Sequence, residues 1–401
     1  MMQPFKGSFT QQEPIAEKAI EAAVEVLRSG RLHRYNTIGD ELGPVAELEK
    51  AYAAYQGSKY CLACTSGGYA MATALRALGV VSGEKVLTNA FTLAPVPGAI
   101  AAVGAEAVLV EITADLVLNL DDLESKIKAV EPKVLLLSNM RGHLCDMDAL
   151  MAILDRYGVP LIEDCAHTMG ATWNGRKSGS FGLAGCFSTQ TYKHMNSGEG
   201  GFLTSNDPEF MARAIILSGS YMLYERHGAA PSADVFADIK LDTPNMSGRM
   251  DNLRASILLS QLDVLETNID RWNERHDLIA DRLRLCNGVY VPHRPEQERY
   301  VGSSFQFLVP EASDEQLCQI VSEAKALGVE LKWFGAHAPV GFTSNHQSWR
   351  YVEPQDLPKT DAILSGLLDM RIPLTFSLED CAHVADIIAH VVRQALQKGA
   401  A

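Results

Sequence analysis

The chain has 401 residues, 47% of them hydrophobic and 21% charged, so it is long enough for a large core plus a smaller domain and too apolar for a disordered or fibrous protein. Thirty-five Lys and Arg against 49 Asp and Glu leave a net charge of −14 with the basic residues scattered, which gives a nucleic-acid or anionic-membrane partner no electrostatic support. Residues 1–14 lack the apolar centre of a signal peptide, and no uninterrupted apolar stretch is long enough to span a bilayer, so a cytoplasmic location is expected.

In chain order, residues 14–29 place apolar side chains at helical spacing, begin with a proline and stop before Gly30, which predicts a surface-packed helix. Short apolar runs at 60–64, 85–88, 107–110, 133–138 and 160–163 then alternate with helical patterns, the rhythm of βαβ units around a mostly parallel sheet. Eight cysteines are too sparse for a disulfide scaffold. Cys61 and Cys64 alone have metal-like or redox-like spacing, yet on the first of these strands they face opposite ways, as packed thiols do. Residues 250–285 read as one long amphipathic linker helix. Beyond it the pattern changes to strands at 303–309 and 329–333 and helices at 314–327, 358–368 and 378–398. The fold class expected is therefore α/β: a large, mostly parallel sheet sandwiched by helices over residues 1–250, a linker helix over 251–290 and a smaller C-terminal α+β domain over 291–401.

In such sheets ligands gather at the carboxyl ends of the strands. Thr65-Ser66-Gly67-Gly68-Tyr69 joins a strand to a helix, so its backbone N–H groups suit a phosphate, although the same string is also an ordinary strand-to-helix turn. Asp164 closes the run Val159-Pro160-Leu161-Ile162-Glu163, where a buried carboxylate asks for a cationic partner such as a protonated pyridine nitrogen; the alternative is a helix cap. His167 lies three residues on. Lys193 follows Phe187-Ser188-Thr189-Gln190-Thr191-Tyr192 and precedes Gly198-Glu199-Gly200-Gly201. A lysine placed after a buried aspartate suits pyridoxal phosphate chemistry, which needs an amine for the aldehyde and a carboxylate for the ring nitrogen.

With Pro44-Val45-Ala46-Glu47-Leu48-Glu49, Ala90-Phe91-Thr92, Met140-Arg141-Gly142, Asp146-Met147-Asp148, Glu163-Asp164-Cys165-Ala166-His167 and Arg249-Met250-Asp251, these strings make nearly the whole chain resemble the DegT-type (DegT/DnrJ) sugar aminotransferases, which have the aspartate-aminotransferase fold. The resemblance implies pyridoxal 5′-phosphate and its pyridoxamine form as cofactor, with a small-molecule keto substrate and an amino donor. It makes Lys193 the Schiff-base lysine, Asp164 the pyridinium partner, and His167 the neighbour of the ring's phenolic oxygen, where many members have Gln. Ser188 and the amides of Gly67, Gly68 and Tyr69 would cradle the phosphate. It further implies a homodimer with shared active sites, in which the segment Pro244-Asn245-Met246-Ser247-Gly248-Arg249 reaches the partner's cofactor; many members have Asn at the position of Ser247, and Asn245 is the alternative. Leu93 stands where the family commonly stacks an aromatic ring, and Gln190 where many members have His. Arg34, Tyr35, Gln190 and Arg249 are expected near the substrate, and segments 31–40 and 333–349, with His337 and His346, around the acceptor. The activity implied is transfer of an amino group from glutamate or a similar donor to a keto-sugar in amino-sugar biosynthesis. A free keto acid such as a keto-octulosonate is an alternative acceptor. The same fold also serves pyridoxamine-dependent sugar dehydratases and could serve a non-catalytic, cofactor-binding regulator; an intact Lys193 argues against both.

Overall fold

The computed structural model describes residues 2–341 and 345–398. Residues 342–344 of the expected acceptor segment and 399–401 lie outside the described residues. All five apolar runs become strands of one sheet: β1 (Tyr60–Cys64), β2 (Lys85–Asn89), β3 (Glu106–Val110), β4 (Val134–Ser138) and β5 (Leu161–Asp164). Two further strands, β6 (Ala184–Ser188) and β7 (Gly201–Ser205), complete the order β1-β7-β6-β5-β4-β2-β3. Neighbours are parallel except at β7, which runs antiparallel to both β1 and β6.

The sheet is covered on both faces, so its strands are apolar throughout rather than alternating. Helix α1 (Glu17–Ser29) begins three residues after Pro14 and ends at Gly30, whose φ of 68° closes it in the left-handed conformation. On one face Leu135 and Leu137 share a core with Val45, Leu48 and Tyr52 of α2 (Pro44–Gln56). On the other, Val134 and Leu136 pack with Met71, Ala74 and Leu75 of α3 (Gly67–Ala77). Cys61 falls in the first core and Cys64 in the second, both as buried free thiols. Cys318, by contrast, is exposed.

Strands β6 and β7 escape a propensity reading because glycine and small residues weaken strand patterns. The packing demands those residues. A Cβ on Gly185 would lie 2.6 Å from the carbonyl oxygen of Gly179, and one on Gly201 would lie 2.6 Å from that of Phe187.

The expected single linker helix is two, Asn252–Leu262 and Leu265–Arg284, because Val264 leaves helical backbone at φ −112°, ψ 3°. After them β8 (Ser304–Leu308), β9 (Lys332–Trp333) and β10 (Leu367–Arg371) form an antiparallel sheet ordered β8-β10-β9. The expected strand at 329–333 is shorter than its pattern, and the helix expected over 358–368 stops at Ser365 to let β10 begin. Phe305, Phe307, Leu368 and Met370 of this sheet share a core with Ile387, Ile388 and Val391 of the helix Leu378–Lys398. Phe5 and Phe9, from the far end of the chain, insert into the same core. Among the described residues no helix is long and apolar enough to cross a membrane.

Glu163 fixes the end of β5. Its buried carboxylate accepts from the N–H groups of Gly179 (2.8 Å), Phe181 (2.8 Å) and Gly182 (3.2 Å), pinning the chain that leads into β6. Burial raises its pKa and these three donors oppose the rise. Removing the carboxylate leaves buried donors unpaired at about 1–3 kcal/mol each, so Glu163→Ala should lose at least about 2 kcal/mol of stability. Urea denaturation checks this as a lower midpoint; a midpoint equal to that of the unsubstituted protein would remove Glu163 from this role.

Candidate active site

Four strand ends converge on one cavity of about 620 Å³. At the end of β1, Ser66 caps α3, its Oγ accepting from the N–H of Tyr69 at 3.0 Å. The first amides of a helix have no intrahelical acceptor, which leaves those of Gly67 and Gly68 for a ligand. A Cβ on Gly67 would sit 2.9 Å from the Cβ of Ser188, so only glycine lets the helix start abut the end of β6. Ser188 ends β6 and lines the cavity with both glycines.

At the end of β5, the Asp164 carboxylate is held by neutral donors. Oδ2 accepts from Ser138 Oγ (3.0 Å) and Oδ1 from the N–H of Ala166 (3.1 Å). Ser138, at the end of β4, in turn accepts from Thr92 Oγ1 at 2.7 Å, and Asn89 ties the same turn down by donating to the carbonyls of Phe91 (2.7 Å) and Ser138 (3.1 Å). Burial pushes the Asp164 carboxyl above its usual range, against the Ala166 N–H, the Lys193 charge and the Ser138 hydroxyl.

Lys193 stands in the loop between β6 and β7. That loop closes on itself through Thr189 N–H to Gly200 O (2.9 Å) and Ser197 N–H to Thr189 O (2.9 Å), while Lys193 N–H donates to Gln190 O (2.8 Å). Lys193 Nζ lies 3.0 Å from His167 Nε2. Burial lowers the lysine to about 7; Asp164 works against this, and Arg141 and Arg371 work with it. Burial likewise holds His167 well below its ordinary value, with Lys193 and Arg141 reinforcing, so its ring is neutral. An amine poised between charged and free states, beside a neutral imidazole and facing a buried carboxylate, suits both nucleophilic attack and proton transfer.

Of the residues singled out by sequence, Gly67, Gly68, Leu93, Asp164, His167, Ser188, Gln190 and Lys193 line this cavity. Tyr69 does not: its N–H is taken by Ser66, and its hydroxyl donates to the carbonyls of Met246 (2.8 Å) and Leu217 (3.2 Å). Arg34 and Tyr35 also stand outside it, in a buried network. Arg34 pairs with both oxygens of Glu49 at 2.8 and 2.7 Å and approaches His227 at 3.0 Å, and the Tyr35 hydroxyl reaches the same imidazole at 2.7 Å. Burial would raise the Glu49 carboxyl, but Arg34 and His227 hold it well below the ordinary range. Asn245 is exposed, and Arg249 donates to the carbonyl of Gly219 at 2.5 Å; neither lines this cavity.

The site also uses residues to which the sequence assigns no role: Thr92, Ser138, Arg141, Tyr192 and Arg371. Ser138 was findable as the last residue of an apolar run, at the strand end where ligands collect. Arg141 sits at φ 55°, an uncommon left-handed position for a residue with a side chain, and its Nη2 meets Asp369 Oδ2 at 2.7 Å. Arg371 carries no local mark, because the strand it ends resembles, by pattern alone, the tail of a helix and the loop after it.

The DegT/DnrJ/EryC1/StrS aminotransferase family matches residues 13–389. The 3-amino-5-hydroxybenzoate synthase of Amycolatopsis mediterranei is 32% identical over 387 residues, covering 93% of this chain and 94% of that protein. The GDP-perosamine synthase of Caulobacter vibrioides is 30% identical over 292 residues, covering 72% of this chain and 75% of that one. A crystal structure of 3-amino-5-hydroxybenzoic acid synthase superposes with a TM-score of 0.82 at 26% identity, covering 98% of this chain and all of that one. With the match running through the cavity and both flanking cores, the chain belongs to the DegT/DnrJ/EryC1/StrS aminotransferase family and is an aminotransferase of the pyridoxal-phosphate-dependent kind.

Proposed function

We propose that this protein moves an amino group from glutamate or a similar donor to a keto-sugar, as a cytoplasmic homodimer with pyridoxal phosphate held in the cavity around Lys193. The observation that carries the reading is the placement of Lys193 and Asp164 in one cavity with His167 beside the amine. The residues present fit the cofactor. The Gly67 approach to Ser188 keeps side chains out of a helix-start cradle suited to a phosphate, and Asp164, held otherwise by neutral donors, suits a protonated ring nitrogen. When bound, the cofactor withdraws electrons from the substrate carbon, so that its proton becomes removable.

Lys193 would hold the aldehyde, and once displaced by an incoming amine its free Nζ would carry the proton from substrate carbon to cofactor carbon. Burial serves this by lowering the amine to about 7, so that it can accept a proton near neutrality and give it back. Ser138, backed by Thr92, would keep the Asp164 carboxylate turned toward the ring. The packed segment ending in Arg249, whose Asn245 is exposed, suits a reach into a partner's site, as the family resemblance implies. A free keto acid as acceptor is the second reading, favoured by the guanidinium of Arg141 on the cavity wall.

Purified protein with the cofactor should show a visible absorbance band, and borohydride should fix the cofactor to Lys193 in peptide mapping. Lys193→Ala should lower turnover by roughly a thousandfold or more; a Lys193→Ala protein that still transaminates would overturn the reading, as would a deoxygenated product in place of an amine. The rate at which cofactor-free protein captures pyridoxal phosphate should rise with pH through about 7, because only the uncharged amine attacks. Asp164 favours the charged amine, so Asp164→Asn should move that midpoint to lower pH; stopped-flow absorbance reads both, and an upward shift would contradict the assigned coupling.

A further inference from the structure

Residues 244–250 form a strap that both ends of the turn Thr65-Ser66-Gly67-Gly68-Tyr69 hold in place. Met246 N–H donates to Leu217 O (2.8 Å) and Gly248 N–H to Ser218 O (2.8 Å), which ties the strap to the end of the helix Pro208–Leu217. On its other side Thr65 N–H donates to Gly248 O at 2.9 Å. The Tyr69 hydroxyl, 2.8 Å from Met246 O and 3.2 Å from Leu217 O, then closes the gap between the strap and the helix end. Only glycine fits at 248, since a Cβ there would collide with the Tyr69 ring. The turn that offers the amides of Gly67 and Gly68 to the cavity is thus bonded directly to the strap.

Strap residues alternate as those of an extended chain do. Met246 packs into the core that contains α3 and Gly248 is buried, whereas Asn245 and Ser247 are exposed. Neither exposed side chain has a hydrogen-bond partner among the described residues, and neither lines the cavity of its own chain. Large exposed apolar side chains flank the strap along the chain. Tyr221, Met222 and Leu223 follow the Gly219 carbonyl to which Arg249 donates, and Leu241 stands just before the strap. Apolar groups clustered around unspent polar ones suit a surface that a second copy covers.

We infer that Tyr69 is a positioning residue for the neighbouring subunit's site: it holds the strap so that the Asn245 amide and the Ser247 hydroxyl are presented to the cofactor of a second copy. The inference rests on the reading of the protein as a homodimer with shared sites. An exposed segment ordered before its partner arrives loses less freedom on docking, and Tyr69 supplies that order by bridging two carbonyls with one hydroxyl while its ring fills the space above Gly248. Each subunit's phosphate turn is in this way the anchor for what it offers its partner.

The test separates an effect on the neighbour from an effect on the subunit's own site. Tyr69→Phe keeps the ring and removes the hydroxyl, and its homodimer should hold pyridoxal phosphate roughly 3–10-fold more weakly, read from the visible band as cofactor is diluted away. Two co-expressed, differently tagged chains give mixed dimers with one Lys193 each, and an unsubstituted chain paired with Lys193→Ala is the reference. When Tyr69→Phe is paired with Lys193→Ala, the remaining lysine receives its strap from a chain with Tyr69 intact, so the affinity should equal the reference. When an unsubstituted chain is paired with the double variant Tyr69→Phe, Lys193→Ala, the remaining lysine receives the altered strap, and the affinity should fall by the same factor as in the Tyr69→Phe homodimer. The reverse pattern would confine Tyr69 to its own site and overturn the inference, as would equal weakening of both mixed dimers or an unweakened Tyr69→Phe homodimer. A cofactor-loaded protein that sediments as a monomer would instead defeat the shared-site reading.

Discussion

Placing an amine and a carboxylate in one apolar cavity is the constraint on which the rest of the structure depends. Burial disfavours the charged form of each, raising Asp164 and lowering Lys193, while the attraction between them works against both shifts. The balance leaves the lysine near neutrality instead of fixed as a cation. Arg141 and Arg371 tip it further toward the free amine, so the same groups that suit an anionic ligand also help to keep Lys193 uncharged.

The fold meets this constraint by bringing strand ends together. Asp164 ends β5, Ser138 ends β4 and Ser188 ends β6, three adjacent strands in the sheet, so parallel pairing alone sets them side by side. The reversed strand β7 has a different task. By pairing with β6 and β1 it returns the chain across the sheet and forces the intervening loop, with Lys193, to fold back over the same edge. The glycines of β6, β7 and α3 are what let these backbones approach, since a methyl group at Gly67, Gly185 or Gly201 would meet its neighbour at 2.6–2.9 Å.

Two charged groups show how alike residues differ in role. Arg34 is paired with Glu49 through its two terminal nitrogens, sealed from solvent, and joins the loop before α2 to the segment carrying His227. It acts as structure. Arg371 lies open to two cavities with a tyrosine face for support and no carboxylate in reach among the described residues. Both are arginines in a broadly acidic chain, and nothing in their flanking sequence separates them.

The sequence by itself determined the doubly covered sheet, because apolar runs without alternation have to be buried on both faces, and it determined Lys193, Asp164, Ser188 and the Gly67-Gly68 turn, because their order along the chain is bound to the chemistry they suit. Tertiary structure decided what depends on neighbours remote in sequence. It made strands of the glycine-bearing segments β6 and β7, whose local propensity is poor and whose partners supply the hydrogen bonds. It ended the helix after Ser365 to form β10, and so delivered Arg371, more than 170 residues from Lys193, to the same wall. It also turned Tyr69, Arg34 and Tyr35 away from the cavity, since a side chain's direction is set by which polar atoms are buried within its reach, and those atoms belong to segments the local sequence cannot see.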